Sequence, residues 1–244
     1  MHFLKLLWVN FKLAREMELL SQSVNTNITR TFQHSIFAEN KSCSEIKLCN
    51  PKAPSGSYVI DPDEEGGVTS FTVYCDMTDE NNIGVTVISH DSEDRILVRG
   101  CSTPGCYQRD IHYTGANFVQ LGNLTTISAH CEQFIKYECF GSVMFRSTYS
   151  WWVSRDGDRM TYWGGSNSTY PYKCACGVTD TCADIAYGCN CDKNDLEWRE
   201  DSGLLTTKSH LPVKQLRFGD NSGYKGQGGY HTLGKLRCYG STSK

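Results

Sequence analysis

Proline is scarce, charge is nearly balanced and long apolar runs are missing. Of 244 residues 6 are proline and 22 glycine, with no G-X-Y period, which excludes a collagen helix and a disordered low-complexity tract. No stretch reaches about 18 apolar residues, so no helix crosses a bilayer. Lys and Arg number 24 against 27 Asp and Glu, and the net charge of -3 supplies no basic field for nucleic acid or acidic lipid. Catalytic patterns are missing too. The seven histidines are His2, His34, His90, His112, His130, His210 and His231, and none stands in H-E-x-x-H. Gly164-Gly-Ser166 lacks the helix context of a nucleophile elbow, and no Walker loop or dinucleotide fingerprint occurs. Catalytic site: none is expected, and the chain does not read as an enzyme.

What is abundant is cysteine, 13 in all. In a reducing compartment that density would mean metal. The run Cys174, Cys176, Cys182, Cys189, Cys191 has a spacing that can wrap zinc, but it holds no histidine, and the other cysteines are scattered singly, as bridge partners are. Cys131, beside His130 and Glu132, is likewise read as a bridge half rather than a nucleophile. Four N-glycosylation acceptor motifs, at Asn27, Asn40, Asn123 and Asn167, agree with secretion. The expected setting is extracellular, either as a secreted protein or as the ectodomain fragment of a larger cell-surface protein.

Residues 1–41 hold no cysteine and read as an N-terminal segment and linker. Lys5, Asn10 and Lys12 interrupt the apolar start that a signal peptide needs. Leu13, Met17 and Leu20 are spaced for a short amphipathic helix over residues 3–20. An imperfect signal, a fragment end and a misassigned start are the explanations, with the last two preferred. Residues 42–241 are expected to form one domain. Strands are expected at 56–60, 68–75, 83–89, 133–139, 142–145, 151–153, 161–163 and 235–238, with a short helix at 118–128. Residues 172–199 lack periodicity and read as a loop-rich lobe held by bridges.

Two stretches carry a resemblance. Ser42 to Pro51, Ser55 to Pro62 and Val73-Tyr-Cys-Asp76 resemble the opening of a fibrinogen C-terminal-type domain and, more closely, that of the fibrillar-collagen C-propeptide. His130 to Cys139, Tyr162-Trp-Gly-Gly165, Lys173 to Gly177, Cys189 to Asp192, Gly203-Leu-Leu205, His210 to Val213 and Leu236 to Gly240 resemble the fibrinogen-like region of neurexin-IV and contactin-associated proteins. The resemblance implies an α+β, fibrinogen C-terminal-like fold: mainly antiparallel sheet, few short helices and a disulfide-stapled lobe. It implies a non-catalytic adhesion or matrix-recognition module with an extracellular protein or glycan as partner. The discoidin, laminin-G, EGF and membrane-spanning parts of contactin-associated proteins are not among these 244 residues, so their scaffolding role does not carry over whole. A lectin-like role, as in ficolins and intelectins, and a propeptide-like oligomerisation role are the alternatives.

The resemblance also bears on sites. Ficolin-like domains place a calcium site at closely spaced aspartates before a late cysteine. Here Asp192 and Asp195 follow their cysteines and Asp220 stands apart, so neither calcium nor any other cofactor is expected. Trp151, Trp152, Tyr162, Trp163, Tyr170 and Tyr172 offer either a stacking platform for a ligand or ordinary core, with core preferred. Trp198 is expected as a plug beneath the bridges. Cys43 with Cys75 would staple the first hairpin, as in the family. Cys101 and Cys106 flank a Pro-Gly turn and are expected to bridge locally. Cys131 and Cys139 do not pair if they share a strand, where roughly 3.3 Å per residue sets them too far apart. The collagen propeptide implies Cys139 with Cys238, which sends Cys131 to the 174–191 lobe. Cys49 is then the odd cysteine, either a disulfide-linked dimer contact, a bond to another protein or a buried thiol. The propeptide's reciprocal trimer bond is excluded, because the loop from Asp61 to Gly67 lacks its third cysteine.

Overall fold

Ser42 begins the first helix by accepting the Glu45 N–H at 3.3 Å on its hydroxyl, which satisfies one of the free donors of a helix start. This helix, α1 (Cys43–Cys49), buries Cys43, Ile46 and Lys47 along one side. The computed structural model describes residues 40–64, 67–78 and 82–242. The expectations at Asn27 and over residues 3–20 lie outside the described residues.

Eleven strands follow among the described residues: β1 (Gly56–Ile60), β2 (Phe71–Asp76), β3 (Val85–Ile88), β4 (Ile96–Val98), β5 (Tyr107–Asp110), β6 (Ser128–Phe140), β7 (Trp151–Val153), β8 (Arg159–Met160), β9 (Trp198–Leu205), β10 (Gln215–Phe218) and β11 (Gly228–Ser241). Two further helices are α2 (Phe118–Ile127) and α3 (Ala175–Val178). Asn117 starts α2 with a capping box: its side chain accepts N–H groups of Val119 and Gln120, and Gln120 returns a bond to the Asn117 N–H.

The strands form two antiparallel sheets. The larger has the order β1-β2-β3-β11-β6-β9, with β4 also paired to β11, and the smaller has the order β5-β10-β7-β8. The inner residues of β6, Ile135 and Tyr137, and of β11, His231 and Leu233, are fully buried. They meet the smaller sheet through Phe218, whose ring stacks on Tyr137 at 4.5 Å and on His231 at 5.8 Å. Trp152 and Trp163 complete this core at 0% exposure. Burying apolar side chains of this size contributes about 1.5–3 kcal/mol each, and the sheet-on-sheet core is therefore the main source of stability. The mainly antiparallel, α+β character of a fibrinogen C-terminal-like domain is what the structure has.

Several expectations need correction. Residues 142–145 are not a strand: Gly141 takes a positive φ of 57° and ends β6, and the chain runs irregularly into a turn that begins at Phe145. Residues 161–163 lie outside the strands; the hairpin partner of β7 is β8, at Arg159–Met160. The Cys139–Cys238 bond is replaced by Cys131–Cys238, with a Cα–Cα distance of 4.1 Å. Cys131 lies directly opposite Cys238 in the β6–β11 register, whereas Cys139 lies opposite Gly229 at the far end. Cys139 bridges Cys191 in the lobe, Cα–Cα 5.9 Å. The lobe closes with Cys174–Cys189 and Cys176–Cys182. Cys43 is bridged to Cys75 and Cys101 to Cys106, while Cys49 is free and exposed.

Candidate functional site

Alternation along β6 and β9 divides their side chains between the core and an open face. Outward on β6 stand Phe134, Lys136, Glu138 and Phe140, and outward on β9 stand Trp198, Glu200, Ser202 and Leu204. The register sets Phe140 opposite Trp198, Glu138 opposite Glu200 and Phe134 opposite Leu204. On the other side of β6, Tyr230 of β11 lies opposite Glu138 and carries Leu97 of β4 as its next neighbour. The result is an aromatic row. The Trp198 ring lies 5.5 Å from Phe140 and 5.8 Å from Tyr230, and the Arg95 guanidinium covers Tyr230 at 3.3 Å from the ring centroid.

Charged groups frame that row in fixed pairs. Arg95 Nε donates to Glu138 Oε2 at 2.8 Å. Lys136 Nζ reaches Glu200 at 3.0 Å and Glu138 at 3.8 Å. Arg199 Nε donates to Asp195 Oδ1 at 2.7 Å, and this bond to Arg199 holds the Asp195 carboxyl at about 2. Arg95, Glu138, Trp198, Arg199 and Glu200 line an open groove. Trp198 is 57% exposed, so it is not the expected plug beneath the bridges: as the first residue of β9 it stands on the open face, its ring against Phe140 and Tyr230. Sequence reasoning missed this face, since it becomes visible only once β9 is paired with β6.

The expected ligand aromatics are placed differently. Trp152, Trp163 and Tyr162 are buried at 0, 0 and 2% exposure. Trp152 Nε1 donates to Tyr162 O at 2.8 Å and Trp163 Nε1 to Asp201 O at 3.0 Å. They have no open ring for a ligand, and the core reading applies. Trp151 is partly exposed, with the Arg159 guanidinium 3.7 Å over its ring, and Tyr170 and Tyr172 are exposed, so the core expectation does not hold for those two.

Of the carboxylates weighed for calcium, Asp195 is paired with Arg199 and Lys193, while Asp192 and Asp220 hold backbone. Asp192 Oδ1 accepts the N–H groups of Met144, Phe145 and Arg146 at 2.8, 2.9 and 3.1 Å. Burial pushes its pKa up against those three bonds. Asp220 accepts from Val143 N–H at 3.0 Å and from Gln227 at 2.7 Å. Asp201 accepts from Asn190 and Cys191 N–H, both at 2.9 Å, and burial pushes it up to about 6. Cys174, Cys189 and Asp201 converge like metal ligands, but the two sulfurs are bonded to each other and the carboxylate is taken by two amides. A bridged sulfur is no thiolate, so the zinc reading of the 174–191 run does not hold. The same chemistry removes Cys131 as a nucleophile.

The comparisons with known proteins agree with this frame. A family profile described as "Fibrillar collagen C-terminal domain" matches residues 13–198, more than half of the chain. The chain belongs to the fibrillar collagen C-terminal domain family. Its resemblance to neurexin-type proteins is equally direct. Contactin-associated protein 1 of Rattus norvegicus and that of Homo sapiens are each 37% identical over 204 residues, 82% of this chain and 14% of theirs. Neurexin-4 of Drosophila melanogaster is 36% identical over 208 residues, 82% of this chain and 16% of its own length. This fibrillar collagen C-terminal-type chain thus spans a small fraction of the curated relatives it matches. Those relatives are extracellular adhesion proteins, and a domain with six bridges fits the same setting.

Proposed function

We propose that the chain is a non-catalytic extracellular recognition module in cell adhesion, taking a protein partner on the outer face of the larger sheet around Trp198. The observation that carries this reading is the outward row Phe140, Trp198, Tyr230 and Arg95, in which Trp198 and Arg95 are exposed and Phe140 and Tyr230 half-buried, held in place by paired charges. Trp, Tyr and Arg dominate the energetics of protein interfaces, and preformed side chains lose little freedom on binding. A relative named for its association with contactin makes contactin-type cell-surface proteins the first partners to test.

The test immobilises the full chain and titrates contactin-type ectodomains against wild type, Trp198→Ala and, as a control away from the face, Val119→Ala. Trp198→Ala should weaken binding at least about tenfold, the usual scale of a hot-spot truncation, with unchanged melting. Equal binding by wild type and Trp198→Ala overturns the docking face. A second, structural reading is supported by Cys49, which is exposed and unbridged: a disulfide-linked dimer. Non-reducing electrophoresis of wild type and Cys49→Ser tests it, and monomers in both lanes rule it out.

A further inference from the structure

Three of the four acceptor motifs lie among the described residues, and the folded chain treats them unequally. Asn123 sits inside α2. Its Nδ2 donates to Asp63 Oδ2 at 2.7 Å, and the same Asp63 oxygen accepts the Val68 N–H at 3.0 Å. Gln120, one turn earlier on α2, donates to Thr69 O at 2.7 Å. The β1–β2 loop is therefore tied down onto the helix through the nitrogen that a glycan would occupy. Thr125, which supplies the motif's hydroxyl, is 1% exposed and donates to Gly122 O at 2.9 Å. At Asn40 the motif's hydroxyl is that of Ser42, 4% exposed and capping α1.

Asn167 is arranged in the opposite way. Its side-chain oxygen accepts the Thr169 N–H at 2.9 Å, and its carbonyl accepts the Tyr170 N–H at 2.9 Å. That turn uses the oxygen, and Nδ2 of the half-buried Asn167 has no protein hydrogen-bond partner among the described residues. Ser168, Thr169 and Tyr170 are exposed. A bulky, solvated chain attached here meets water.

We propose that Asn167 is an N-linked glycosylation site of this fold and that Asn123, with the same acceptor motif, stays unmodified. The proposal rests on the extracellular reading, because the modification occurs in the secretory lumen. The reaction joins Asn167 Nδ2 to C1 of an oligosaccharide carried on a lipid diphosphate. The C1–O bond to that diphosphate breaks, the lipid diphosphate leaves, and the amide gives up one proton. At Asn167 the product keeps every protein hydrogen bond. At Asn123 it would displace Asp63 and lift the loop from α2.

The test produces the full chain with a secretion signal in mammalian cells and recovers it from the medium. Peptide N-glycosidase in heavy-oxygen water then converts each glycosylated asparagine to labelled aspartate, read by peptide mass mapping. Label is expected at Asn167 and not at Asn123. Asn167→Gln and Thr169→Ala should each speed migration on a denaturing gel by one glycan step, while Thr169→Ser keeps the glycan. An unlabelled Asn167 in the secreted chain, or label at Asn123 equal to that at Asn167, overturns the proposal. Neither outcome touches the extracellular reading, which fails instead if the natural protein is recovered from the cytosol with its cysteines reduced.

Discussion

Replacing Asp192 with alanine should release the turn that follows β6. One oxygen of this side chain accepts three successive amides, those of Met144, Phe145 and Arg146. Asp192 is 1% exposed, and Met144 and Phe145 are buried beside it. Alanine would leave two buried N–H donors without an acceptor, and each such donor costs about 1–3 kcal/mol. The Arg146 amide belongs to an exposed residue and adds less. Against this, burial pushes the Asp192 pKa up, so removing the charge returns part of the loss. The net expectation is a destabilisation of about 2–4 kcal/mol, near the upper range for single substitutions. At about 2–4 °C per kcal/mol for a domain of this size, melting should fall by roughly 4–16 °C. Asp192→Asn keeps an acceptor oxygen and should lose less than alanine. Urea titration and calorimetry, with the bridges checked by mass, give the numbers. Two results would refute the reasoning: an alanine variant within about 0.5 kcal/mol of wild type, or millimolar calcium raising the melting temperature of wild type but not of Asp192→Asn.

Three other outcomes follow from the same structure. Removing Cys131–Cys238 by paired serine substitution opens a span of 107 residues and should cost up to about 4.7 kcal/mol in the chain-entropy model. Removing Cys101–Cys106, a span of 5, should cost roughly half as much, and denaturant midpoints compare the two. Gly164→Ala would place a Cβ 2.4 Å from Gly203 O, where backbone must move, so a loss of about 1–3 kcal/mol or more is expected in thermal melts. His231 is fully buried, and burial pushes its pKa down to about 4. The folded state then binds fewer protons than the unfolded state between about pH 6.5 and 4, and stability falls as pH falls through that window by about 3 kcal/mol. Asp201, pushed up to about 6, acts in the opposite sense. The measurement is therefore the difference in pH profile between wild type and His231→Phe, and parallel profiles contradict the assignment.

Much of the large sheet was legible in sequence, because one-sided burial leaves a period of two. Phe71, Val73 and Cys75 point inward, as do Cys131, Gln133, Ile135, Tyr137 and Cys139. Helix α2 was legible from Leu121 and Leu124. Helix α1 was missed although Ser42 and Glu45 stand at capping distance. Short β4, β5 and β10 offer too few residues for a period to show, and β9 carries charge on its open side and a glycine within it. Pairing of the cysteines needed register. Cys131 and Cys139 are both inward residues of β6, and nothing local says which of them faces Cys238. The same limit hid the aromatic row: Phe140, Trp198 and Tyr230 are far apart in the chain and meet only across three strands.

Hydrogen exchange of the full chain, alone and saturated with a contactin-type ectodomain, tests the central claim most directly, since it reports where a partner sits without altering a residue. The account predicts slowed exchange in β9, the 134–140 part of β6 and the segment around Arg95 and Tyr230, with the edge of the smaller sheet at β8 unchanged. Protection confined to the smaller sheet or to the 174–191 lobe would contradict it.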